Sequence, residues 1–135
     1  MDIFTYDCVL EGLKRHNKKA KQNYGNSVVS YAPKEPTFPL TVLSEIRNVA
    51  NPLHNTCYER VASVGYSVRI YAQTKGNKNK QTIARVCAQI ADEYMSGIGL
   101  LRISYNYNES VNEDGLAEIV MTYSGNLHEN RRKFI

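Results

Sequence analysis

The two residues of this chain that come nearest to a catalytic arrangement are His54 and Cys57, three positions apart. A cysteine nucleophile needs a neighbouring base, and imidazole is a common one. Both residues fall in the stretch 48–57, where asparagine, proline and histidine are typical of a loop and such neighbours arise without function. We interpret them as a solvated histidine and a half-buried thiol, and a small enzyme using Cys57 is the third hypothesis by class.

Metal binding is not predicted either. His16 and His128 have no second histidine or cysteine at a ligand spacing. The chain has three cysteines, an odd number that cannot pair completely within one chain. Cys8 and Cys87 fall on predicted helices, where a small buried hydrophobe is the expected role. This cysteine usage favours assembly in a reducing cytoplasm.

The remaining candidates for chemistry are carboxylate pairs and a glycine pair. The carboxylates at 92–93 lie near a predicted helix end and those at 113–114 lie in a predicted turn, where solvated side chains are expected. Gly97 and Gly99 follow a helix, whereas a dinucleotide-binding fingerprint follows a strand. The sequence therefore predicts no catalytic, cofactor or metal site, and we expect a protein that is not an enzyme.

Basic and aromatic residues raise a second hypothesis, a small module that binds single-stranded nucleic acid. The chain has a net charge of +4 and a pI near 9.0. Arg69, Tyr71 and Arg102 lie on predicted strands, and arginine and tyrosine on a sheet face can stack on bases. Tyr105 and Tyr107 alternate with the same period as Leu101 and Ile103, so we expect the core to take them. The basic residues also form two clusters, at 14–21 and 131–133, and the first complements the dipole of a helix end.

Size and composition predict one soluble domain. The chain has 135 residues, of which 42% are hydrophobic and 22% charged, which is ordinary for a single globular domain. We assign the domain to residues 1–125 and an exposed C-terminal tail to residues 126–135. No basic and apolar leader and no apolar run of membrane-spanning length is present, so secretion and membrane insertion are not expected.

The elements that would position any site centre on residues 58–93. Even positions from Ala62 to Ala72 are apolar and odd positions mostly polar, which predicts a half-buried strand. After a polar turn the period changes to that of an amphipathic helix, which ends near Gly97 to Gly99. The predicted buried stripe of this helix consists of Ile83, Val86, Cys87, Ile90 and Tyr94.

The rest of the chain completes a core around this strand and helix. The pattern predicts a helix over residues 2–19, capped by Asp2, and a short strand over residues 28–31. It also predicts a strand over residues 38–46, with Phe38, Leu40, Val42 and Ile46 on one face. Two alternating runs, at 101–107 and 117–124, predict a hairpin. The fold class is α+β, a mostly antiparallel β-sheet with an N-terminal helix and a second helix packed on one face.

This order of elements resembles the tail terminator, or tail completion, proteins of long-tailed bacteriophages and phage tail-like particles. The resemblance covers residues 38–125, with the strand Phe38-Pro39-Leu40-Thr41-Val42 and the strand 66–72 running into the helix 82–92. It continues with Met95, the Gly97 and Gly99 step, Leu101-Arg102, and the closing run 119–125. The segment after the first helix is richer in lysine, and the linker 47–57 is longer, than this family's pattern.

The resemblance implies a structural virion protein that forms a hexameric ring at the head-proximal end of the tail tube. Its partners would be other copies of itself, the tail tube protein and a head-completion protein, and DNA would pass through the ring lumen. A tail tube or head-closure protein of the same particle is the nearest alternative. Ring closure needs heterologous contacts, for which we expect loops, a polar strand face and the tail to serve, with candidate interface residues Asn51, Pro52, His54, Arg60, Arg69, Tyr71, Asn108, Glu109, Glu113, Asp114, Arg131 and Arg132.

Overall fold

The computed structural model describes residues 5–18, 25–31, 34, 36–50, 61–74, 79–109, 116–128 and 133–134. The helices and strands in these residues are α1 (Thr5–His16), β1 (Ser27–Val29), β2 (Leu40–Ala50), β3 (Val61–Ala72), α2 (Lys80–Gly97), β4 (Leu101–Glu109), β5 (Ala117–His128) and β6 (Lys133–Phe134). The chain is an α+β domain, with a mostly antiparallel sheet and both helices packed on it, as the sequence predicts.

The strands form one sheet in the order β1-β2-β3-β5-β4, and β6 pairs with the end of β5. β1 runs parallel to β2, and the other pairs are antiparallel. Because β5 separates them, β3 and β4 run in the same direction, and α2 connects them as a crossover. β4 therefore runs opposite to β1, which lies at the other side of the sheet.

The core lies between the two helices and one face of the sheet. Every even position of β3 from Ala62 to Ala72 is fully buried, which confirms the predicted alternation. On β5, the alternating residues Ala117, Ile119, Met121 and Tyr123 are buried beside them. From α1 this cluster receives Val9, Leu10 and Leu13. We call the opposite face of the sheet the outer face.

The α2 helix begins and ends as its sequence suggests, but only Ile83 and Cys87 of its predicted stripe are fully buried. The Asn79 side chain caps the first turn by accepting a hydrogen bond from the Gln81 backbone N–H at 2.9 Å, and Gly99 has a φ of 101° after the helix end. Val86, Ile90 and Tyr94 are only half-buried. Three alanines allow the helix to approach the sheet closely, so the buried stripe is Ile83, Ala84, Cys87, Ala88, Ala91 and Met95.

The predicted apolar face of β2 is buried at Leu40 and Val42, which are 2% and 8% exposed, but these two side chains lie outside the cluster beneath the helices. Leu43 joins the core, and Val42 lies on the outer face opposite Arg69. The register shifts between Glu45 and Arg47, and Ile46 is 57% exposed. A bulge adds one residue to a strand and so reverses which positions face the core beyond it.

A second bulge alters β4 in the same way. The register with β5 shifts between Arg102 and Ser104, so Leu101, opposite Ser124, lies on the outer face, whereas Tyr105, opposite Met121, lies on the helix side. Ile103 is the extra residue of the bulge. Leu101 is 70% exposed and Ile103 is 60% exposed, contrary to the expectation that the core takes them. Tyr107, further along the strand, packs against the core as expected.

The prediction of an exposed tail from residue 126 onward is also wrong for the residues of this segment that the structure describes. β5 continues through His128, Leu127 is 1% exposed, and Lys133–Phe134 pairs with residues 127–128 of β5. The sequence signal failed here because Gly125 and Asn126 interrupt the apolar alternation just before this last buried position. Gly125 packs closely against Leu100, since a Cβ at this position would lie 2.8 Å from Leu100 Cδ2 and would make that side chain shift.

Candidate assembly surfaces

Three residues predicted as contacts lie on the outer face near one end of the sheet. Arg69 is exposed on β3, between Val42 of β2 and Val120 of β5. Two positions further on, Tyr71 is half-buried opposite Glu118.

Asn108 of β4 completes this group from the other side of β5. It is exposed and pairs with Glu118, so a cross-strand row runs Tyr71, Glu118, Asn108. Side chains directly opposite each other on neighbouring strands lie within contact range. Glu109, the last residue of β4, pairs with Ala117. The structure therefore brings Arg69, Tyr71 and Asn108 to one end of the outer face, as a polar patch.

The other predicted interface residues lie outside the described residues, and the fold gives them no placement. The same holds for Cys57 of the hypothetical catalytic pair. These interface residues are Asn51, Pro52, His54, Arg60, Glu113, Asp114, Arg131 and Arg132.

Sequence reasoning missed a set of exposed aliphatic side chains at both bulges. Ile46 and Val49 of β2 are 57% and 55% exposed, and Leu101 and Ile103 of β4 are exposed even more. One signal for the first bulge was present in the sequence, because a glycine within a strand marks a bulge or a close approach. Gly65 lies opposite Arg47, and a Cβ there would lie 3.0 Å from Ile46 Cγ1.

The second missed feature is the long free edge of β4. β5 pairs with one side of β4 from Leu101 to Glu109, and among the described residues no strand pairs with the other side. The edge of a sheet can pair with a strand of another chain, and natural proteins usually protect it with lysine, proline or a bulge. β4 has the bulge but neither lysine nor proline, and it exposes Leu101, Ile103 and Tyr105.

On the helix side, α2 is fastened to β4 and β5 by one carboxylate. The Tyr123 hydroxyl donates a hydrogen bond of 2.7 Å to Asp92 Oδ1, and Arg102 Nη1 lies 3.4 Å from Asp92 Oδ2. Burial raises the pKa of Tyr123 above its ordinary value, and the hydrogen bond to Asp92 adds to the increase. Tyr123 therefore stays a neutral donor.

Two arginine and tyrosine pairs line the same junction of α2 and β4. The guanidinium of Arg85 lies 5.5 Å from the ring centre of Tyr107, and that of Arg102 lies 5.8 Å from the ring centre of Tyr105. A depression of about 170 Å³ lies between Arg85, Gln89 and these strands. These distances fit cation–π contacts within the fold, and the tyrosines lie on the opposite face from Arg69 and Tyr71. The arginine and tyrosine side chains that the sequence suggested for base stacking therefore lie on two opposite faces of the sheet.

The cysteines in the described residues differ in accessibility. Cys87 is 1% exposed, and burial raises the pKa of its thiol to about 12, so it is protonated and unreactive at neutral pH. Cys8 is exposed, contrary to the prediction of a buried side chain. Within the described ranges, three or more of the usual metal-ligating residues do not gather at any point. No helix among these residues is both long and apolar enough to cross a membrane.

Comparison with known proteins adds no relative. No protein-family model matches the chain, and no curated protein matches it.

Proposed function

We propose that this chain is a structural subunit that assembles into a ring, as a tail terminator of a phage or phage tail-like particle. The observation that carries the proposal is the distribution of exposed aliphatic residues, which lie on the sheet's outer face and on the free edge of β4. Exposed apolar residues that cluster on one face mark sites where proteins associate. The resemblance of residues 38–125 to the tail terminator family supports this specific form of association.

A ring at the end of a tail tube needs two kinds of surface. Contacts between neighbouring subunits must be heterologous, so that each subunit offers two different patches. Contacts to the tube and to the head-completion protein use the two ends of the ring. The polar patch of Arg69, Tyr71 and Asn108 is a candidate for one of these contacts, and the β4 edge is a candidate for the contact between subunits. In this role the protein acts in the virion neck, after assembly in the host cytoplasm, and performs no catalysis.

The first test is the mass and shape of the purified protein, by light scattering and negative-stain electron microscopy over a range of concentrations. We expect closed rings of about six subunits, since cyclic symmetry is what capping a tube requires. If rings form only when purified tail tubes are added, and bind their ends, the proposal holds. Long stacks would identify a tube subunit instead, and a monomer that does not bind tube ends would overturn the proposal.

A pair of variants makes this test specific to the surface. Leu101→Ser/Ile103→Ser replaces two exposed side chains and should leave the monomer folded while it abolishes rings. Thr82→Ala changes an exposed position in the first turn of α2 and should leave rings intact. Circular dichroism and thermal melting of the monomers separate loss of assembly from loss of folding. Rings of normal stability in the double variant would remove the β4 edge from the proposal.

A further inference from the structure

We propose that the free edge of β4 pairs with the β1 edge of a second copy of this chain, so that one sheet continues across the contact between subunits. This inference rests on the proposed function for the choice of a head-to-tail arrangement. The two edges themselves are described by the structure. β4 and β1 are the outermost strands of the sheet order β1-β2-β3-β5-β4.

Strand direction favours this contact. β1 is parallel to β2, and alternate antiparallel pairings through β3 and β5 leave β4 antiparallel to β1. A second copy in the same orientation, placed beside β4, therefore offers its β1 in the antiparallel sense. Antiparallel pairing is the slightly more stable kind per residue, and it requires no reversal of the subunit.

Exposed apolar side chains lie at both edges. Leu101 and Ile103 are 70% and 60% exposed at the β4 edge. At the other edge Val29 is half-buried beside Val42, and Tyr31, two residues later, is 74% exposed and lines a depression on the helix side. Pairing of the edges would bring these apolar groups together and remove them from water.

The helix side offers a cavity and a side chain that fits it. Beside β1 lies a depression of about 220 Å³, lined by Leu10 and Lys14 of α1 and by residues 28–31. On β4 Tyr105 lies on the helix side, opposite Met121, and is 43% exposed. In a continuous sheet Tyr105 of one copy would lie against this depression of the next, where its ring is buried and its hydroxyl remains near the rim. Tyrosine is enriched at interfaces because it combines these two properties.

The experiment uses one variant for each edge. Leu101→Lys/Ile103→Lys places two charges on the β4 edge, which is a natural means of blocking edge pairing. Tyr31→Lys does the same beside β1. Both sets of residues are exposed, so each monomer should keep the melting temperature of the wild type within a few degrees. Each variant is measured alone and as a 1:1 mixture by analytical ultracentrifugation.

Head-to-tail pairing predicts a result that other arrangements do not. Each variant alone should be monomeric at concentrations where the wild type forms larger species. The mixture should form dimers and nothing larger, because the intact β1 edge of one variant meets the intact β4 edge of the other. Dimers of the Tyr31→Lys variant alone, with Leu101→Lys/Ile103→Lys monomeric alone, would show that β4 pairs with β4 of a second copy about a two-fold axis and would overturn the inference.

The remaining outcomes separate this inference from the proposed function. Dimers in the mixture, together with open chains of the wild type that do not bind tube ends, would support the edge contact and contradict the terminator role. Rings that persist in both single variants would keep the terminator role and overturn the edge contact. A contact with a binding free energy of about 4 kcal/mol has a Kd of about 1 mM, so a substantial fraction of the chains should be associated at that concentration. A wild type that stays monomeric at about 1 mM would therefore overturn the edge contact between free subunits.

Discussion

At the scale of single residues, Tyr123 and Cys87 are titratable side chains whose acidity is set by their packing in the fold. Tyr123 and Cys87 are both buried against the core, and burial raises the pKa of each. Their neutral forms are therefore the ones that the folded state accommodates. Asp92 is the single carboxylate that links α2 to Tyr123 of β5 and Arg102 of β4.

Removing the Tyr123 hydroxyl should measurably destabilise the protein. A hydrogen bond to a charged acceptor contributes about 1.5–3 kcal/mol, and the 2.7 Å bond from Tyr123 to Asp92 is partly buried. We predict that Tyr123→Phe lowers the free energy of unfolding by about that amount in urea denaturation at pH 7. The control Tyr31→Phe removes a hydroxyl from a residue that is 74% exposed and should change little. Equal effects in the two variants would refute this role for Asp92.

The buried thiol of Cys87 should lower the stability of the folded protein at alkaline pH. Its pKa is about 12 in the folded protein against an ordinary value of 9.0, so the folded state holds a proton that the unfolded chain releases. A group with a raised folded-state pKa adds stability that is complete below pH 9 and is lost as the pH rises from 9 to 12. Within this window the loss approaches about 1.4 kcal/mol per pH unit.

The measurement is the free energy of unfolding of the wild type and of Cys87→Ala between pH 8 and 11. The alanine variant should be less stable at pH 8, because a buried side chain is shortened, but its stability should fall less steeply with pH. Tyr123 remains in both proteins and contributes equally. Parallel pH profiles would show that the Cys87 thiol does not control this loss.

At the scale of elements, the contact between α1 and α2 depends on a glycine that helix propensity alone would disfavour. A Cβ on Gly12 would lie 1.8 Å from the hydroxyl oxygen of Tyr94 and 2.5 Å from its Cζ. The Tyr94 ring therefore packs directly on the α1 backbone, between Cys8 and His16. Its centroid lies 5.8 Å from that of the His16 ring.

Gly12→Ala should destabilise the protein although alanine favours helices. The propensity gain is about 1 kcal/mol, whereas overpacking at a filled contact costs about 1–3 kcal/mol. The matched control is Gly97→Ala in the last turn of α2, where a Cβ meets nothing within 4 Å, so that variant should be neutral or more stable. Thermal unfolding of the two variants compares these effects. A Gly12→Ala protein as stable as Gly97→Ala would mean that Tyr94 moves aside without cost.

The elements also show how far the sequence determines the fold. Periodicity locates β3, β5 and α2, because long buried faces leave long apolar patterns. It ends β5 four residues early and misplaces part of the buried stripe of α2. It fails at β4, where a bulge changes the inward positions without changing the residue types that follow. It fails at β2 because the four residues Leu40, Thr41, Val42 and Leu43 are all buried, so alternation does not distinguish the two faces. The structure describes four of the twelve expected contact residues, and three of these, Arg69, Tyr71 and Asn108, share one end of the sheet. Their proximity follows from the pairing of β3, β5 and β4, which periodicity does not specify.

At the scale of the whole molecule, charge and apolar exposure have opposite effects on association. The net charge of +4 makes copies of the chain repel one another. The proposed edge contact consists of aliphatic and tyrosine side chains together with backbone hydrogen bonds, and none of these is weakened by salt. The two hypotheses from the sequence, a ring subunit and a nucleic-acid-binding module, therefore predict opposite responses to ionic strength.

We predict that self-association of the protein is unchanged or slightly stronger when the salt concentration rises from about 0.05 to 0.2 M, because screening reduces repulsion between like-charged copies. A protein that binds single-stranded nucleic acid through several phosphates loses affinity steeply over this range, by about 300-fold for six contacts. Sedimentation equilibrium gives the first quantity, and anisotropy of a labelled oligonucleotide titrated with the same samples gives the second. Self-association that weakens steeply with salt would mean that ionic contacts hold the copies together, which contradicts the apolar edge. Tight, strongly salt-dependent binding of the oligonucleotide by a chain that stays monomeric would instead favour the nucleic-acid-binding module.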